Sequence, residues 1–432
     1  MSDLETRLRE TLVLHADRVE PAQATAALLR RTRRRLARTV VASVASVLAL
    51  TAAGAWSVRT ATAEPVRPVH QLVVPNPAVH NGDLAYVAGP LDTARLVIRH
   101  SDGSVSSIDR TRFETEPCTP YPVVNMIEGT PRCGGFGSLV WAPDGGRLAF
   151  VFAHRSLHPG NAPTDLYVVR ADGSGLRKIA ACPMHRGILP CDLTSASGPT
   201  WSPDGSRIAV SGDGRIWIAA LDGGGFRPLT ECPPCADSHP DWSPDGRSIA
   251  FARDDGVYEV SVADGSTWRL ASLQGVKAPA WSPDGTQVAI LAEGGVYVLD
   301  GVGGEGVVRR VAGIAGPQWV SVPTWSPDGR TLAWLVEADS RAMRLGHHVD
   351  LWTTRLDGAP PSRVVQGPCC LASDEGDARL AWSPDGRKIA IHEPGRTTTL
   401  VPQGVLVVDV ASARLRRLPG GDAAWPAWQP AG

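Results

Sequence analysis

The chain has 432 residues, more than one ordinary core holds, so it reads as several domains or one repeat array. Hydrophobic residues make up 43% and charged residues 20%, which excludes a disordered chain, and 45 Gly with 36 Pro excludes a mostly helical fold. The net charge of −1 lacks the basic footprint of a nucleic-acid binder, so no nucleic-acid partner is expected.

The chain opens with Ser2 and Glu5 at capping-box spacing, followed by Leu4, Leu8 and Leu12 on one helical stripe. This predicts an N-terminal helix, either on the surface or docked on a partner. Residues 1–38 carry nine Arg and five acidic residues, a basic amphipathic segment ending in RRTRRRLAR. Residues 39–58 (TVVASVASVLALTAAGAWSV) then run without a charge. At about 1.5 Å per residue this run spans about 30 Å, so it predicts a single transmembrane helix. Arginines on its N-terminal side predict a cytoplasmic N-terminus and an extracytoplasmic body. The competing reading is a signal cleaved near Ala63, since Ala61-Thr62-Ala63 resembles a cleavage site and Thr32–Leu36 a twin-arginine motif. The long leader and the length of the apolar run favour the uncleaved anchor. Residues 59–82, with Pro65, Pro68, Pro75 and Pro77, read as a linker.

The body is one repeat written many times. Six W-[SA]-P-D-G boxes begin at Trp141, Trp201, Trp242, Trp281, Trp325 and Trp382, at intervals of 60, 41, 39, 44 and 57 residues. Those intervals suit propeller blades with insertions. Within each box Pro fixes φ, Gly accepts a positive φ, and the aspartates Asp144, Asp204, Asp245, Asp284, Asp328 and Asp385 suit a tight turn between two strands. An Ala stands eight residues after every one of these tryptophans: Ala149, Ala209, Ala250, Ala289, Ala333 and Ala390. A third strand with an apolar–aromatic pair follows in most units, as in Val257-Tyr258, and usually ends in Asp-Gly, as in Asp264-Gly265. A short fourth strand completes a four-stranded antiparallel blade.

The boxes, the I-A-[FVI] strand and the Y-x-x-x-x-D-G turn resemble the TolB-like β-propeller repeat, related to WD-repeat propellers. The resemblance covers about residues 83–430 and implies an all-β propeller. TolB itself is soluble and carries an additional N-terminal domain, where this chain has a membrane-type leader. Residues 83–108 match strands two to four of a blade without a Trp box, and the C-terminus ends in a decayed box at Trp428. The two fragments complete one blade, which predicts a seven-bladed ring over 83–432 closed by the C-terminal strand, with six blades as the alternative.

All eight cysteines follow residue 59, and an even number in an exported region implies disulfides. Cys118/Cys133, Cys182/Cys191, Cys232/Cys235 and Cys369/Cys370 each precede a Trp box, in loops between blades, and local pairing is the simplest arrangement. Cys369 and Cys370 pair either with each other or across loops. A zinc site at Cys182, His185 and Cys191 matches no strong pattern. Long loops at 115–138, 153–164, 182–198, 337–349, 366–379 and 393–404 fall on the face opposite the tight turns, in units that become neighbours when the ring closes.

The chain holds no G-x-S-x-G elbow, phosphate loop or H-E-x-x-H motif. The box aspartates read as turn formers because every repeat has one. His154, His158, His185, His347 and His348 fall in long loops, where histidines are usually solvated. These observations lead to the expectation of a membrane-anchored, non-enzymatic binding or sensing module without a cofactor. Its partner, a protein or a cell-envelope ligand, would meet the long-loop face. Two alternatives stand beside it. One is a signalling role for the leader, which resembles those of actinobacterial single-pass proteins associated with extracytoplasmic-function sigma factors. The other is a propeller enzyme with a metal in the central channel.

Overall fold

The computed structural model describes residues 82–89, 93–114, 119–120, 131–132, 135–154, 164–181, 198–231, 236–301, 306–313, 321–338, 347–366, 370–371, 380–393, 404–418 and 423–430. These form seven antiparallel sheets of four strands, one of them with a fifth strand added, the blades of a β-propeller, and a separate two-stranded pair, Thr119–Pro120 with Pro131–Arg132. Blade 1 is Gly135–Trp141, Arg147–Ala153, Thr164–Arg170 and Arg177–Ala181. Blade 2 is Thr200–Trp201, Arg207–Gly212, Arg215–Ala220 and Phe226–Pro228, and blade 3 is Ser238–Trp242, Ser248–Arg253, Gly256–Ser261 and Thr267–Ser272. Blade 4 is Ala278–Trp281, Gln287–Ala292, Gly295–Asp300 and Val307–Gly313. Blade 5 is Thr324–Trp325, Thr331–Ala338, His347–Arg355 and Ser362–Val365, with Cys370–Leu371 added against its third strand. Blade 6 is Leu380–Trp382, Lys388–Glu393, Gly404–Asp409 and Leu415–Arg417. Blade 7 joins Ala423–Trp428 to Leu84–Ala88, Arg95–Arg99 and Val105–Asp109.

The seven blades match the expected number, and the closing strand pairs as the split repeat requires, Leu84 opposite Trp428 and Ala85 opposite Ala427. Gln429 locks this seam. Its amide oxygen accepts from the Asp83 N–H at 2.8 Å, and its amide nitrogen donates to the Gly145 carbonyl of blade 1 at 2.7 Å. Closure leaves no open edge between the first and last blades.

Each second strand is buried on both faces because a blade is sandwiched between two others, which explains apolar runs such as Ile249-Ala250-Phe251 in place of alternation. The recurring Ala has a packing role: Ala149, Ala209, Ala250, Ala289, Ala333 and Ala390 are fully buried. Each shares a hydrophobic cluster with the tryptophan of the next blade, namely Trp201, Trp242, Trp281, Trp325, Trp382 and Trp428. A small side chain there leaves room for the incoming indole. Ala85 completes the ring by meeting Trp141.

The tight turns form as their chemistry demands. The Asp204 carboxylate accepts from the Ser206 N–H at 3.0 Å and from the Ser202 hydroxyl at 2.6 Å, while Gly205 takes a φ of +64°. The hydrogen bond from Ser202, with those from the Ser206 N–H and hydroxyl, draws the Asp204 carboxyl down to about 2. The same N–H bond is made by Asp144, Asp245, Asp284, Asp328 and Asp385.

Among the described residues the helical content is one 3-10 turn, Arg110–Arg112, and no helix is long and apolar enough to cross a membrane. The predicted N-terminal helix, the 39–58 span and the 59–82 linker up to residue 81 lie outside the described residues. So do Cys118, Cys133, Cys182, Cys191, Cys232, Cys235 and Cys369. Cys370 is described only as a strand residue opposite His348.

Candidate functional site

The innermost strands surround the axis, and the residue before each tryptophan occupies the same ring position: Val140, Thr200, Asp241, Ala280, Thr324, Ala381 and Ala427. Four tryptophans knit the ring by donating their indole N–H to this position in the preceding blade. Trp141 reaches the Ala427 carbonyl at 3.0 Å, Trp201 that of Val140 at 3.0 Å, Trp325 that of Ala280 at 2.9 Å and Trp382 that of Thr324 at 3.3 Å. The ladder is interrupted on both sides of Asp241, where the buried indole nitrogens of Trp242 and Trp281 make no hydrogen bond. Trp428 is likewise unbonded at its indole nitrogen.

The inner strand of blade 3 is irregular in its backbone, with a register shift between Ser238 and Asp241 and His239 at a φ of +54°; blade 1 is irregular at the same place, with a shift between Gly137 and Leu139 and Ser138 at +30°. A non-glycine residue in that region is strained and persists only where its surroundings hold it. In blade 3 one support is the buried Asp237 at the head of the strand. Arg253 grips it with two bonds of 2.6 and 2.9 Å and lies over the Tyr258 ring at 4.5 Å.

Asp241 alone among the seven ring positions is ionisable. Its carboxylate accepts from the Trp281 backbone N–H at 2.7 Å and bonds the Thr200 hydroxyl, so one side chain ties blades 2, 3 and 4. Burial pushes its carboxyl up to about 7, against the opposing pull of the hydrogen bonds from Trp281, Thr200 and the Trp242 N–H. The residue remains partly accessible.

A cavity of about 790 Å³ opens on the axis at the tight-turn end. It touches the inner strands of blades 1, 5, 6 and 7 through Val140, Thr324, Ala381 and Ala427, and the turns through Asp328 and Asp385. Blades 1 and 5 are not neighbours, so a space touching both lies in the central channel. Asp241 belongs to the other arc of the same ring and is not among the residues that line this cavity.

Two other polar clusters stand away from the axis. On the long-loop side of blade 1, the buried Asp165 is bonded by His154 at 2.6 Å, Lys178 at 2.7 Å and Tyr167 at 3.3 Å. Burial works to raise the Asp165 carboxyl, but the hydrogen bonds from His154 and Lys178 outweigh it and hold it below the usual carboxylate range. Burial and the Asp165 charge push the Tyr167 hydroxyl up to about 12. In blade 7, His100 bonds Asp83 at 2.7 Å and Ser106 at 2.8 Å, the connectivity of a nucleophile triad. The register argues otherwise. Blade 4 places Gln287, Asp300 and Arg309 at the same three positions and bonds them in the same order. The arrangement is therefore the edge ladder of a blade.

The box tryptophans lie between blades, and the box aspartates form the turns. Of the sequence-derived box residues, Trp141, Trp325, Trp382, Trp428, Asp328 and Asp385 line the axial cavity, whereas Asp241 was outside those candidates. For Asp241 the readable signal is a carboxylate in DWSPDG where the other boxes are preceded by Val, Ala or Thr. Of the histidines noted in long loops, His154 is the one whose side-chain contacts are described. Among the described residues no three His, Cys, Asp or Glu side chains are placed to hold a metal ion.

No known family model matches the chain, and no curated protein sequence matches it. Solved propellers do. An oligogalacturonate lyase in complex with manganese is 12% identical with a TM-score of 0.50, over 78% of this chain and 85% of its own. A putative 6-phosphogluconolactonase from Bacteroides uniformis ATCC 8492 is 13% identical with a TM-score of 0.51, over 80% of this chain and 99% of its own. A putative TolB from Agrobacterium tumefaciens is 18% identical with a TM-score of 0.41, over 59% of this chain and 94% of its own. At these identities the likeness is one of fold.

The comparison corrects the expectation that the chain is not an enzyme. That expectation rested on the lack of a recognisable catalytic motif in the repeats and on reading the box aspartates as turn formers, and a propeller can be the whole of a protein named as an enzyme. In the lyase and the lactonase-named protein the matched ring makes up 85% and 99% of the chain, so a propeller without an added domain is no argument against catalysis.

Proposed function

We propose that the protein is a propeller enzyme whose reaction takes place at the axis of the ring, with Asp241 as its proton-transfer group. The observation that carries this reading is a carboxyl pushed up to about 7 and fixed across three blades. A general acid or base works best when its pKa lies near the working pH, and burial with fixed hydrogen-bond partners is how folds achieve that. The Trp281 N–H and the Thr200 hydroxyl orient the carboxyl, which donates a proton when neutral and accepts one when ionised. The indole N–H groups of Trp242 and Trp281 beside it make no hydrogen bond, so the ladder places no competing bond on the backbone around Asp241. The axial cavity supplies the binding space, and its size lies within the ordinary range for small-molecule sites. Lactone opening and elimination, the kinds of reaction suggested by the names of the lyase and of the lactonase-named propeller, both need such a group.

The test is turnover by the full chain of a panel of lactones and of glycosides open to elimination, with and without Asp241→Asn. Turnover should change with pH through about 7 and be abolished by the substitution. Activity that survives Asp241→Asn would remove the residue from the reaction. We also propose that residues 39–58 anchor the ring outside the membrane, supported by the uncharged run behind RRTRRRLAR. Protease added to intact cells should then degrade the propeller while the leader stays with the membrane.

A further inference from the structure

We infer that the axial cavity takes a neutral or cationic small molecule with an apolar face, and that it disfavours anions. This inference rests on the reading of the axis as the reaction site and concerns which substrate enters it.

The walls of the cavity combine apolar residues such as Val140, Ala381, Ala427 and Pro384 with the polar side chains of Thr324, Gln429, Asp328 and Asp385. Gln429 is committed to the seam, with its amide oxygen held by Asp83 and its amide nitrogen by Gly145. Asp328 and Asp385 each spend Oδ1 on their own turn, the first on Arg330 N–H at 3.1 Å and Ser326, the second on Arg387 N–H at 3.0 Å and Ser383 at 2.6 Å. The second oxygen of each makes no hydrogen bond and remains to accept from a hydroxyl or an ammonium group.

No Lys, Arg or His is among the described lining residues. The cationic neighbours in sequence, Arg330 and Arg387, are exposed and outside the lining. An anion would therefore meet two carboxylates with no compensating charge in the wall, and a third at Asp241 once that group ionises. In a partly desolvated channel, an uncompensated like charge at about 6 Å weakens binding by roughly 100-fold. Galacturonate and phosphogluconolactone, the compounds in the names of the similar propellers, are anions, so this chain is not expected to share their substrates.

The experiment measures binding, not turnover, on the full chain. Saturation-transfer NMR and calorimetry compare matched alcohol, amine and carboxylate on two frames: benzyl alcohol, benzylamine and benzoate, then cyclohexylmethanol with its amine and acid counterparts. The alcohols and amines should bind at least tenfold more tightly than the carboxylates at equal pH. The double variant Asp328→Asn, Asp385→Asn keeps an acceptor for each turn N–H; it should lower amine affinity about tenfold and alcohol affinity much less, since the amide N–H can donate to a hydroxyl oxygen but only repels an ammonium group. Asp241→Asn should retain alcohol binding even if it abolishes turnover, which separates this inference from the catalytic reading. Carboxylates binding as well as the alcohols, amine affinity unmoved by the double variant, or no binding by any alcohol or amine would each overturn it.

Discussion

Replacing Asp241 by Asn should raise the stability of the propeller at neutral and alkaline pH and leave it nearly unchanged in mild acid. The carboxyl rises from 3.8 to about 7 on folding, about three units, or roughly 4 kcal/mol at 1.36 kcal/mol per unit. The sign follows from the proton count. Between these values the folded chain keeps a proton that the unfolded chain has released, so rising pH favours unfolding. The stabilising effect is complete below about 4 and lost as pH rises through about 7. The turn carboxylate Asp204, drawn down to about 2, works in the opposite direction and in a lower window, losing its effect as pH falls below the normal value of 3.8. The two effects therefore separate on a pH axis, and both proteins share the second. For the unit Pro68–Gly432, with an unfolding entropy of about 2.1 cal/mol/K per residue, 4 kcal/mol corresponds to about 5 °C in Tm. Thermal unfolding followed by circular dichroism at pH about 4.5 and about 8.5 should show the Asn variant ahead by up to that amount only at the higher value. Parallel changes in the two proteins across this range would refute the claim that burial holds the carboxyl protonated, and the catalytic reading with it.

Two further outcomes probe the ring itself. Gln429→Ala removes both side-chain bonds across the seam, one to Asp83 and one to Gly145, and should destabilise closure by about 1–3 kcal/mol in denaturant unfolding. Trp201→Phe strands the Val140 carbonyl that its indole bonds at 3.0 Å, whereas Trp281→Phe deletes a donor that has no partner. The first should therefore cost about 1–3 kcal/mol more than the second, and equal losses would mean that the indole ladder does not hold blades together.

The repeat was legible in the sequence because its rules are local. Pro, Asp and Gly shape each turn from within four residues, and the Trp-to-Ala spacing records one strand reversal. The purpose of that Ala was less readable, since its partner is the tryptophan of the next blade, as Ala250 meets Trp281. The seventh instance, Ala85, was hidden because its own box tryptophan, Trp428, lies at the other end of the chain. Asp241 was missed for a similar reason. Its significance depends on Thr200 and on Trp281, contacts that exist only once three blades stand side by side. The cavity is a property of four blades and of no single segment.

A ring of like units is well suited to carrying one exception. Interfaces in which the indole reaches its carbonyl and the Ala admits the indole supply stability without further demands on their residues. Blade 3 spends some of it on a buried carboxyl, a left-handed histidine and two unbonded indole groups flanking the carboxyl. Asp237 and Arg253 hold that strand from its far end, so the irregularity stays local. Sites of catalysis are where folds keep such unfavourable features, because a group at its ordinary pKa with all its bonds made has no reactivity to offer. On this argument a single substitution at Asp241 that stabilises the ring should be the one that silences it.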